Sequence, residues 1–205
     1  KMFAEIFRLL GLISIVNNVS SNYRFTYIGD HLVLPTANKK AIIEQCVLGV
    51  NNPNNIIDVS YSEEVRFFSC VLLAMEQLDG YISRDEMILG PMCVSDVNTL
   101  FFSNMIQHIR EIRGDQIKIQ KELEKLASSL QANKKDGMTV VSVQNCTRFP
   151  ISVLKYCGWV ESENKKINGK TFKFMSLTKR GKYIVNILTK IEKLFGFFTK
   201  SPLET

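Results

Sequence analysis

The sequence has few of the residues that catalysis or metal binding requires. It contains two histidines, His31 and His108, and neither has a partner at ligand spacing. Its five cysteines include no Cys-x-x-Cys pair, and their odd number argues against a disulfide framework. No glycine-rich phosphate loop and no nucleophile elbow occurs. We therefore predict no catalytic residue, no metal site and no cofactor in this chain.

Long apolar runs and a signal peptide are also missing. Of the 205 residues, 45% are hydrophobic, which is enough to build a core and excludes a disordered tail. We expect a folded cytoplasmic protein with reduced thiols, made of one large or two small domains.

Positive charge is concentrated toward the C-terminus. The net charge is +6, and residues 1–60, 61–113 and 114–205 carry +1, −4 and +9. Clustered lysine and arginine neutralise phosphates, so this distribution favours nucleic-acid binding. A solvated lysine-rich surface on an ordinary domain has the same composition, and charge alone does not separate the two.

The clearest local pattern is a short helix with both ends marked. We predict it over Thr147–Cys157, because Thr147 can cap it and Pro150 falls in its first turn. Gly158 ends it, since the residue after a helix often needs a positive φ.

A hairpin pattern follows this helix. Trp159 and Val160 precede a predicted polar turn from Glu161 to Lys170, an alternating strand over Thr171–Ser176 and a helix from Lys179. Helix, strand, basic hairpin and strand is the order of a winged helix, a fold that commonly places its third helix in the DNA major groove.

The same order occurs near the start of the chain. Phe7–Ile13 aligns with Leu154–Val160, and Tyr23–Val33 aligns with Met175–Val185 if one residue is skipped between Thr and Gly. The intervals differ, but hairpin loops tolerate insertions. We interpret the pattern as a repeat; chance recurrence in two helix–hairpin units is the alternative.

The remaining chain reads mainly as helix, with a Ser83–Glu86 capping box and a glycine-proline break at Gly90. The other predicted elements are helices Lys1–Leu10, Tyr27–Leu34, Lys39–Leu48, Ser62–Leu78, Tyr81–Leu89, Ser95 or Asp96 to Arg110, and Ile117–Leu130, and strands Leu12–Val16 and Tyr23–Thr26.

These elements predict a mainly α, α+β protein with two winged-helix subdomains joined by a helical bridge. Residues 1–50 form the first subdomain, which we expect to be N-terminally incomplete because two helices normally precede the third. Residues 51–61 form a linker. Residues 62–194 form the second subdomain, with a helical insertion at 95–131, and residues 195–205 form a tail.

Several segments together resemble a known family. They are SCVLLAMEQLDGYISRDEMI, TRFPISVLKYCGWVE and FKFMSLTKRGKYIV, preceded by FRLLGLIS and YRFTYIGDHLV. The pattern is similar to the DNA-recognition region of type IIS restriction endonucleases and site-specific nicking endonucleases with FokI-like or AlwI-like recognition domains. The resemblance implies two winged helices that read an asymmetric site in double-stranded DNA, and a separate C-terminal nuclease domain that uses Mg²⁺.

The nuclease signature of that family is not convincing here. It needs carboxylates and a lysine that hold Mg²⁺ and activate water. Glu163-Asn164-Lys165 lies in the predicted turn, and the segment from Asp115 to Lys118 opens a helix. We interpret both as surface charge and expect the nuclease domain to lie outside this chain.

The predicted DNA contacts lie around the recognition helix Thr147–Cys157, in the hairpin after it and in loops. Residues at the start of a recognition helix reach base edges, and lysines contact phosphates. For Thr147 a plain helix cap is the favoured alternative, for Arg148 a salt bridge, and for the hairpin lysines protection of a strand edge. The candidates are Asn145, Thr147, Arg148, Ser152, Lys155, Lys165, Lys166, Lys170, Lys173, Lys134 and Lys135, with Arg24, Lys39 and Lys40 in the first copy.

Two other classes of function fit the same pattern. A winged-helix transcriptional regulator or plasmid replication initiator would also bind DNA, without a nuclease. A protein–protein module is the other, since winged helices also serve as scaffolds.

Overall fold

The computed structural model describes residues 2–16, 22–52, 65–94, 99–130 and 138–195. The protein is mainly helical with small sheets, as the α+β prediction requires. In chain order the elements are α1 (Met2–Leu9), β1 (Ile13–Ile15), β2 (Tyr23–Phe25), α2 (Tyr27–Val33), α3 (Lys39–Leu48), β3 (Asn51–Asn52), β4 (Val65–Arg66), α4 (Phe67–Gln77), β5 (Tyr81–Ser83), α5 (Arg84–Leu89), a 3₁₀ turn (Pro91–Cys93), α6 (Thr99–Ile112), α7 (Gln116–Ser129), α8 (Val140–Asn145), α9 (Arg148–Tyr156), β6 (Val160–Ile167), β7 (Lys170–Leu177) and α10 (Lys179–Phe195). None of the helices described is both long and apolar enough to cross a membrane.

Helix α4 is the centre of the core. Every side chain from Phe67 to Met75 is buried, so the helix is enclosed on all sides. It contacts α3, α10 and the 3₁₀ turn, and it also contacts β5 and β7 of the main sheet. The elements that contact α4 are therefore held together by packing around this one apolar helix.

The start of α4 differs from the prediction. The helix begins at Phe67 and not at Ser62, because Val65 and Arg66 pair with Asn51 and Asn52 in an antiparallel β-bridge. Two residues of the predicted linker are therefore strand. The predicted cap at Ser62 and the rest of the linker, residues 53–61, lie outside the described residues.

The main sheet is antiparallel, in the order β5-β7-β6. The predicted polar turn over Glu161–Lys170 is wrong, since most of it is strand β6. The turn is only Asn168 and Gly169, with φ of 50° and 78°. Two positive φ angles suit the tight hairpin turn whose twist matches its strands, and Asn-Gly is its usual sequence.

Two segments of the fold share the same arrangement, which we name the N-terminal repeat (α1, β1, β2 and α2) and the C-terminal repeat (α9, β6, β7 and α10). In both, the first helix ends on a glycine with positive φ, 68° at Gly11 and 69° at Gly158. The next residue is a buried apolar one, Leu12 or Trp159, whose N–H donates back to a carbonyl of the last helical turn, at 2.8 and 3.1 Å. Both helices therefore end in the same Schellman-like turn.

The threonines close both repeats in the same way. Thr26 Oγ1 donates to Gly11 O at 2.6 Å and accepts the N–H of Gly29 at 3.1 Å. Thr178 makes the two corresponding bonds, at 2.6 Å, and at 3.0 Å from Gly181. The threonine and the following glycine are three positions apart in both copies, so the residue skipped in the sequence alignment is unnecessary.

The helices between the repeats differ from the prediction in detail. The Ser83–Glu86 capping box is confirmed, although the residues before it form strand β5. In α7, Ile117 is exposed, and the buried residues are Ile119, Leu123 and Ala127. Helix α8 was not predicted.

An arginine at the end of α6 holds the insertion against the main sheet. Arg113 Nε donates to Glu86 Oε1 at 2.8 Å, and its other nitrogens bond the carbonyls of Leu78 and Tyr81 at 3.1 and 3.0 Å. Its guanidinium also stacks over the Tyr81 ring, 4.5 Å from the centroid. The α6–α7 insertion is therefore tied to β5, α5 and the end of α4.

Candidate nucleic-acid interface

Helix α9 follows α8 after a tight turn, and this turn changes the role of Thr147. Its backbone is already helical, its side chain makes no cap bond to α9, and its hydroxyl donates instead to Gln144 O at 2.7 Å. Thr147 is only 1% exposed. The prediction of Thr147 as a helix cap is therefore wrong, and a hydroxyl buried in this way is not available to DNA.

The two sides of α9 differ sharply. Pro150 and Leu154 are buried against the core. The other side is exposed and carries two cations and no carboxylate, because α9 has the sequence RFPISVLKY. Its exposed residues are Arg148, Ser152, Lys155 and Tyr156, and Asn145 is exposed at the end of α8.

The β6–β7 hairpin turns one basic face toward α9. Lys155 Nζ donates to Ser162 Oγ at 2.7 Å, so the face of β6 that carries Ser162 lies beside this helix. Alternation along the strands places Lys166, and Lys173 on β7, on the same face. Both lysines are exposed, and this face contains no acidic residue. We call α9's exposed side together with this hairpin face the basic surface.

The opposite face of the hairpin holds the predicted contacts Lys165 and Lys170. Lys165 Nζ pairs with Glu163 Oε1 at 3.0 Å and lies 4.6 Å from the Tyr81 ring centroid. Ile167 on the same face contacts the insertion, since a Cβ on Gly114 would approach its side chain to 2.6 Å. Lys165 is thus turned away from α9 and already paired, which argues against its predicted phosphate contact there.

The two possible nuclease carboxylates have local roles. Glu163 accepts a bond from Ser176 Oγ and pairs with Lys165, and these contacts lower the pKa of its carboxyl. Asp115 caps α7 by accepting the N–H groups of Ile117 and Lys118, each at 3.1 Å, and the bond from Lys118 lowers the pKa of Asp115. In the part of the chain that is described, no three His, Cys, Asp or Glu side chains are grouped to hold a metal ion.

A cleft of about 780 Å³ lies where α9, β7, α5 and α7 meet. Polar side chains line it, and three of them are joined by hydrogen bonds that the sequence did not reveal. Gln144 Nε2 donates to Asp85 Oδ1 at 3.0 Å, and Arg84 Nε donates to the same oxygen at 2.9 Å. Gln144 and Asp85 lie 59 positions apart in the sequence, so no local sequence signal points to this cluster.

The N-terminal candidates lie on other elements. Arg24 is exposed on β2, where its Nε donates to Ser14 Oγ at 3.2 Å. Lys39 and Lys40 are exposed in the first turn of α3. The remaining candidates, Lys134 and Lys135, lie outside the described residues.

The cysteines behave as structural residues. All five are free, and Cys70 and Cys157 are buried. Burial raises the pKa of both thiols to about 12. For Cys157, the carboxylate of Glu44 adds to this effect, and the cations of Lys40 and Arg180 oppose it.

No family model, curated protein or solved structure matches this chain. The site is therefore described by its own geometry. The exposed side of α9 has no acidic residue, and Lys155 joins it by a hydrogen bond to the lysine-bearing face of the β6–β7 hairpin.

Proposed function

We propose that this protein binds double-stranded DNA through the basic surface. The protein contains two winged-helix units, the basic surface belongs to the second, and α9 of this second unit is the recognition helix. Arg148, and Asn145 at the end of α8, read base edges in the major groove, and Lys155, Lys166 and Lys173 hold the phosphates.

The element order supports the winged-helix assignment. Helix α4, strand β5 and helix α5 follow one another, helix α9 and the β6–β7 hairpin come after α6, α7 and α8, and β5 pairs with β7 at the sheet edge opposite β6. In this order the helix before the hairpin is the one that commonly enters the major groove. The α6–α7 insertion and the short helix α8 then separate the second helix, α5, from the third, α9, without changing their roles.

The separation of charge on the hairpin is the observation that carries the proposal. Carboxylates lie only on the hairpin face away from α9, where Glu163 is paired with Lys165. The face toward α9 is cationic, and so is α9 itself. Phosphates are attracted to a surface where cations are not neutralised by nearby carboxylates.

A recognition role within a type IIS restriction or nicking endonuclease is the form of this function that the residue pattern favours. Two acidic residues might have served a nuclease, and both have local partners. Glu163 pairs with Lys165 within β6, and Asp115 caps α7. We therefore propose that this chain recognises the site and that cutting, with Mg²⁺, belongs to a separate domain.

The test compares binding to a selected DNA site with binding to random duplex DNA. Selection from a pool of random duplexes defines the preferred site, and binding is then measured on that site and on random duplex at two salt concentrations. Arg148→Ala should weaken binding to the selected site about 10- to 100-fold, since a bidentate base contact is worth that much. Binding of the same variant to random duplex should change little.

Three lysines of one hairpin supply the matched controls. Lys166→Gln and Lys173→Gln should weaken binding equally on both DNA pools and reduce the slope of affinity against salt by about one for each lysine. Lys165→Gln, on the other face, should leave the slope unchanged. Absence of binding, or binding without salt dependence, would favour a protein partner instead. An equal loss for Arg148→Ala on both pools would contradict base reading.

A further inference from the structure

The cleft between α9, β7, α5 and α7 opens onto the basic surface. Its lining includes Lys155, Ser162 and Lys173, which also belong to the basic surface, whereas the walls that α5 and α7 supply do not. Its volume of about 780 Å³ lies in the range of about 300–1,000 Å³ that is usual for sites of small-molecule ligands. The cleft is therefore a candidate ligand site that shares two lysines with the surface proposed to bind DNA.

The charged side chains of the cleft favour a ligand with about two negative charges. They are Arg84, Asp85, Lys155 and Lys173. Asp85 accepts a bond from Arg84 Nε at 2.9 Å, so the charges of these two residues offset each other. Lys155 donates to a hydroxyl, and Lys173 forms no ion pair within the part of the chain that the structure describes. A phosphate monoester carries about −1.5 to −2 charges near pH 7, which matches the two lysines.

The edge of strand β7 presents main-chain groups to the same cleft. Leu177 N–H donates to Gly80 O at 2.8 Å, so every second residue of β7 from Leu177 turns its N–H and C=O toward the edge that β5 covers. Strand β5 ends at Ser83, opposite Phe174, and in the described ranges no strand continues the pairing beyond it. The N–H and C=O of Lys173 therefore face the cleft, where they can pair with the donors and acceptors of a planar heterocycle.

Amide and apolar side chains complete the surroundings of such a ring. Gln116, Gln120 and Gln144 line the cleft, and an amide both donates and accepts hydrogen bonds, as the edge of a nucleobase does. Glutamine pairs with adenine in particular, through two bonds. Ile151 and Met175 add apolar area for the faces of the ring. A planar base joined to a phosphate monoester thus fits both the polar and the charged groups of the cleft.

We propose that this cleft binds a nucleoside monophosphate, preferably of adenine, and that the bound nucleotide displaces DNA from the basic surface. The phosphate lies between Lys155 and Lys173, and the base lies between the edge of β7 and the glutamines of α7. The nucleotide site does not require the protein to bind DNA. The displacement rests on the proposed function, because the nucleotide and the DNA use the same two lysines.

The first measurement is equilibrium binding of AMP to the 205-residue protein without DNA, with adenosine and inorganic phosphate as comparison probes. Saturable binding of AMP is expected, and adenosine and phosphate should each bind much more weakly because each lacks half of the contacts. Lys173→Gln should weaken AMP binding about tenfold or more, since a hydrogen bond between two charged groups is lost. Lys165→Gln, on the other face of the hairpin, should not change it.

Two glutamines of the α6–α7 insertion give a matched pair of variants. Gln120 lines the cleft and donates to Glu124 Oε1 at 2.8 Å, whereas Gln107 on α6 lies outside the lining and donates to Glu111 Oε1 at 3.0 Å. Both are exposed and bond a glutamate four residues later, so a tryptophan at either position should keep the fold. Gln120→Trp should fill the cleft and abolish AMP binding, and Gln107→Trp should retain it.

The second measurement is DNA binding with and without AMP. At an AMP concentration about ten times its Kd, competition for a shared site should raise the apparent Kd for DNA about tenfold. In the Gln120→Trp variant, AMP should no longer have this effect.

Three results would overturn the proposal. They are the absence of saturable AMP binding, AMP binding that both Lys173→Gln and Gln120→Trp leave unchanged, and a DNA affinity that saturating AMP does not alter. A protein that binds AMP with the expected response to these variants but does not bind DNA at any salt concentration would contradict the proposed function and support the nucleotide site.

Discussion

The two repeats share the hydrogen bonds between their glycines and threonines and have different surroundings. Gly11 and Thr26 form the turn that Gly158 and Thr178 form, with bond lengths that agree within 0.1 Å where hydroxyl and amide partners correspond. One repeat encloses its apolar residues around α4, and the other leaves them at the surface. Local residue pattern therefore determines the turn, whereas burial depends on which distant segment packs against it.

An ion pair links α3, the helix that follows the N-terminal repeat, to the C-terminal repeat. Glu44 on α3, which is 7% exposed, accepts two bonds from Arg180 at the start of α10, the longer at 3.2 Å. The same carboxylate is the partner that raises the pKa of Arg180. The N-terminal repeat is thus attached to the C-terminal one through α3. The attachment point, Arg180, lies two residues after Thr178.

The largest expected effect comes from a contact that the N-terminal repeat lacks. Arg113→Met should lower the free energy of unfolding by about 3–5 kcal/mol, because it leaves Glu86, which is 1% exposed, as a buried and unpaired charge. Chemical denaturation measures the change. If Arg113 supports the C-terminal repeat specifically, amides of β5 and β7 should lose exchange protection before those of the N-terminal repeat.

Two variants control for this substitution. Arg110→Met, on the same helix and exposed, should cost much less, since its bond to Gln77 O lies at the surface. Adding Glu86→Gln to Arg113→Met should recover part of the loss, because the amide needs no counter-charge and can still accept the Ser83 N–H. A double variant as unstable as the sum of its parts would contradict the unpaired-charge explanation.

A smaller effect is expected at the glycine where the second helix of each repeat, α2 or α10, lies close to the backbone of the glycine turn. A Cβ at Gly181 would lie 2.0 Å from Trp159 O, and one at Gly29 would lie 2.1 Å from Leu12 O. Both atoms are backbone and cannot swing aside, so each Gly→Ala substitution should cost about 2–4 kcal/mol locally. Denaturation and amide exchange together separate local loosening from global unfolding.

The two glycine variants should differ in whether they lower the stability of the whole protein or only of one repeat. Gly181→Ala should lower global stability, because α10 packs on α4 in the core. Gly29→Ala should mainly accelerate exchange in the N-terminal repeat, which encloses less apolar surface. Gly49→Ala is the control, since the nearest atom to its added Cβ is 3.4 Å away and its φ is −82°. Identical global losses for Gly29 and Gly181 would show that the repeats are equally coupled to the core.

The features that sequence could predict are those decided within a few residues. Gly158 predicted the end of α9, and Ser83 with Glu86 predicted a capping box, because both signals act over one helical turn. The Asn168-Gly169 turn had an equally local signal and was missed, so the basic strand before it was interpreted as a loop.

The features that sequence could not predict depend on contacts between distant residues. Thr147 has the composition of a cap, but helix α8 before it supplies Gln144 O as the partner of its hydroxyl. Lys165 and Lys166 look alike in sequence, and contacts with residues elsewhere in the fold show which of them is turned from α9: Lys155 bonds Ser162 on the face of Lys166, and Tyr81, 84 positions before Lys165, lies under Lys165. The exposure of Phe25 likewise depends on the absence of a covering helix among the described residues, and its own sequence is as apolar as that of Leu177.

The smallest effect, and the strictest comparison of the two repeats, concerns their threonines. Thr178→Val and Thr26→Val keep the side-chain shape but remove a hydroxyl that donates to a glycine carbonyl and accepts a glycine amide. Each should cost about 1–2 kcal/mol, the usual value for a helix cap with a second hydrogen bond. The bonds to the glycines have nearly the same lengths in the two repeats, and Thr178 Oγ1 adds only a longer bond to Trp159 O at 3.2 Å. The local losses seen by amide exchange should therefore be alike even though the surroundings differ. A loss at Thr178 several times that at Thr26 would mean that packing around α4, and not the turn itself, determines the strength of these bonds, and the two turns would then be equivalent in geometry alone.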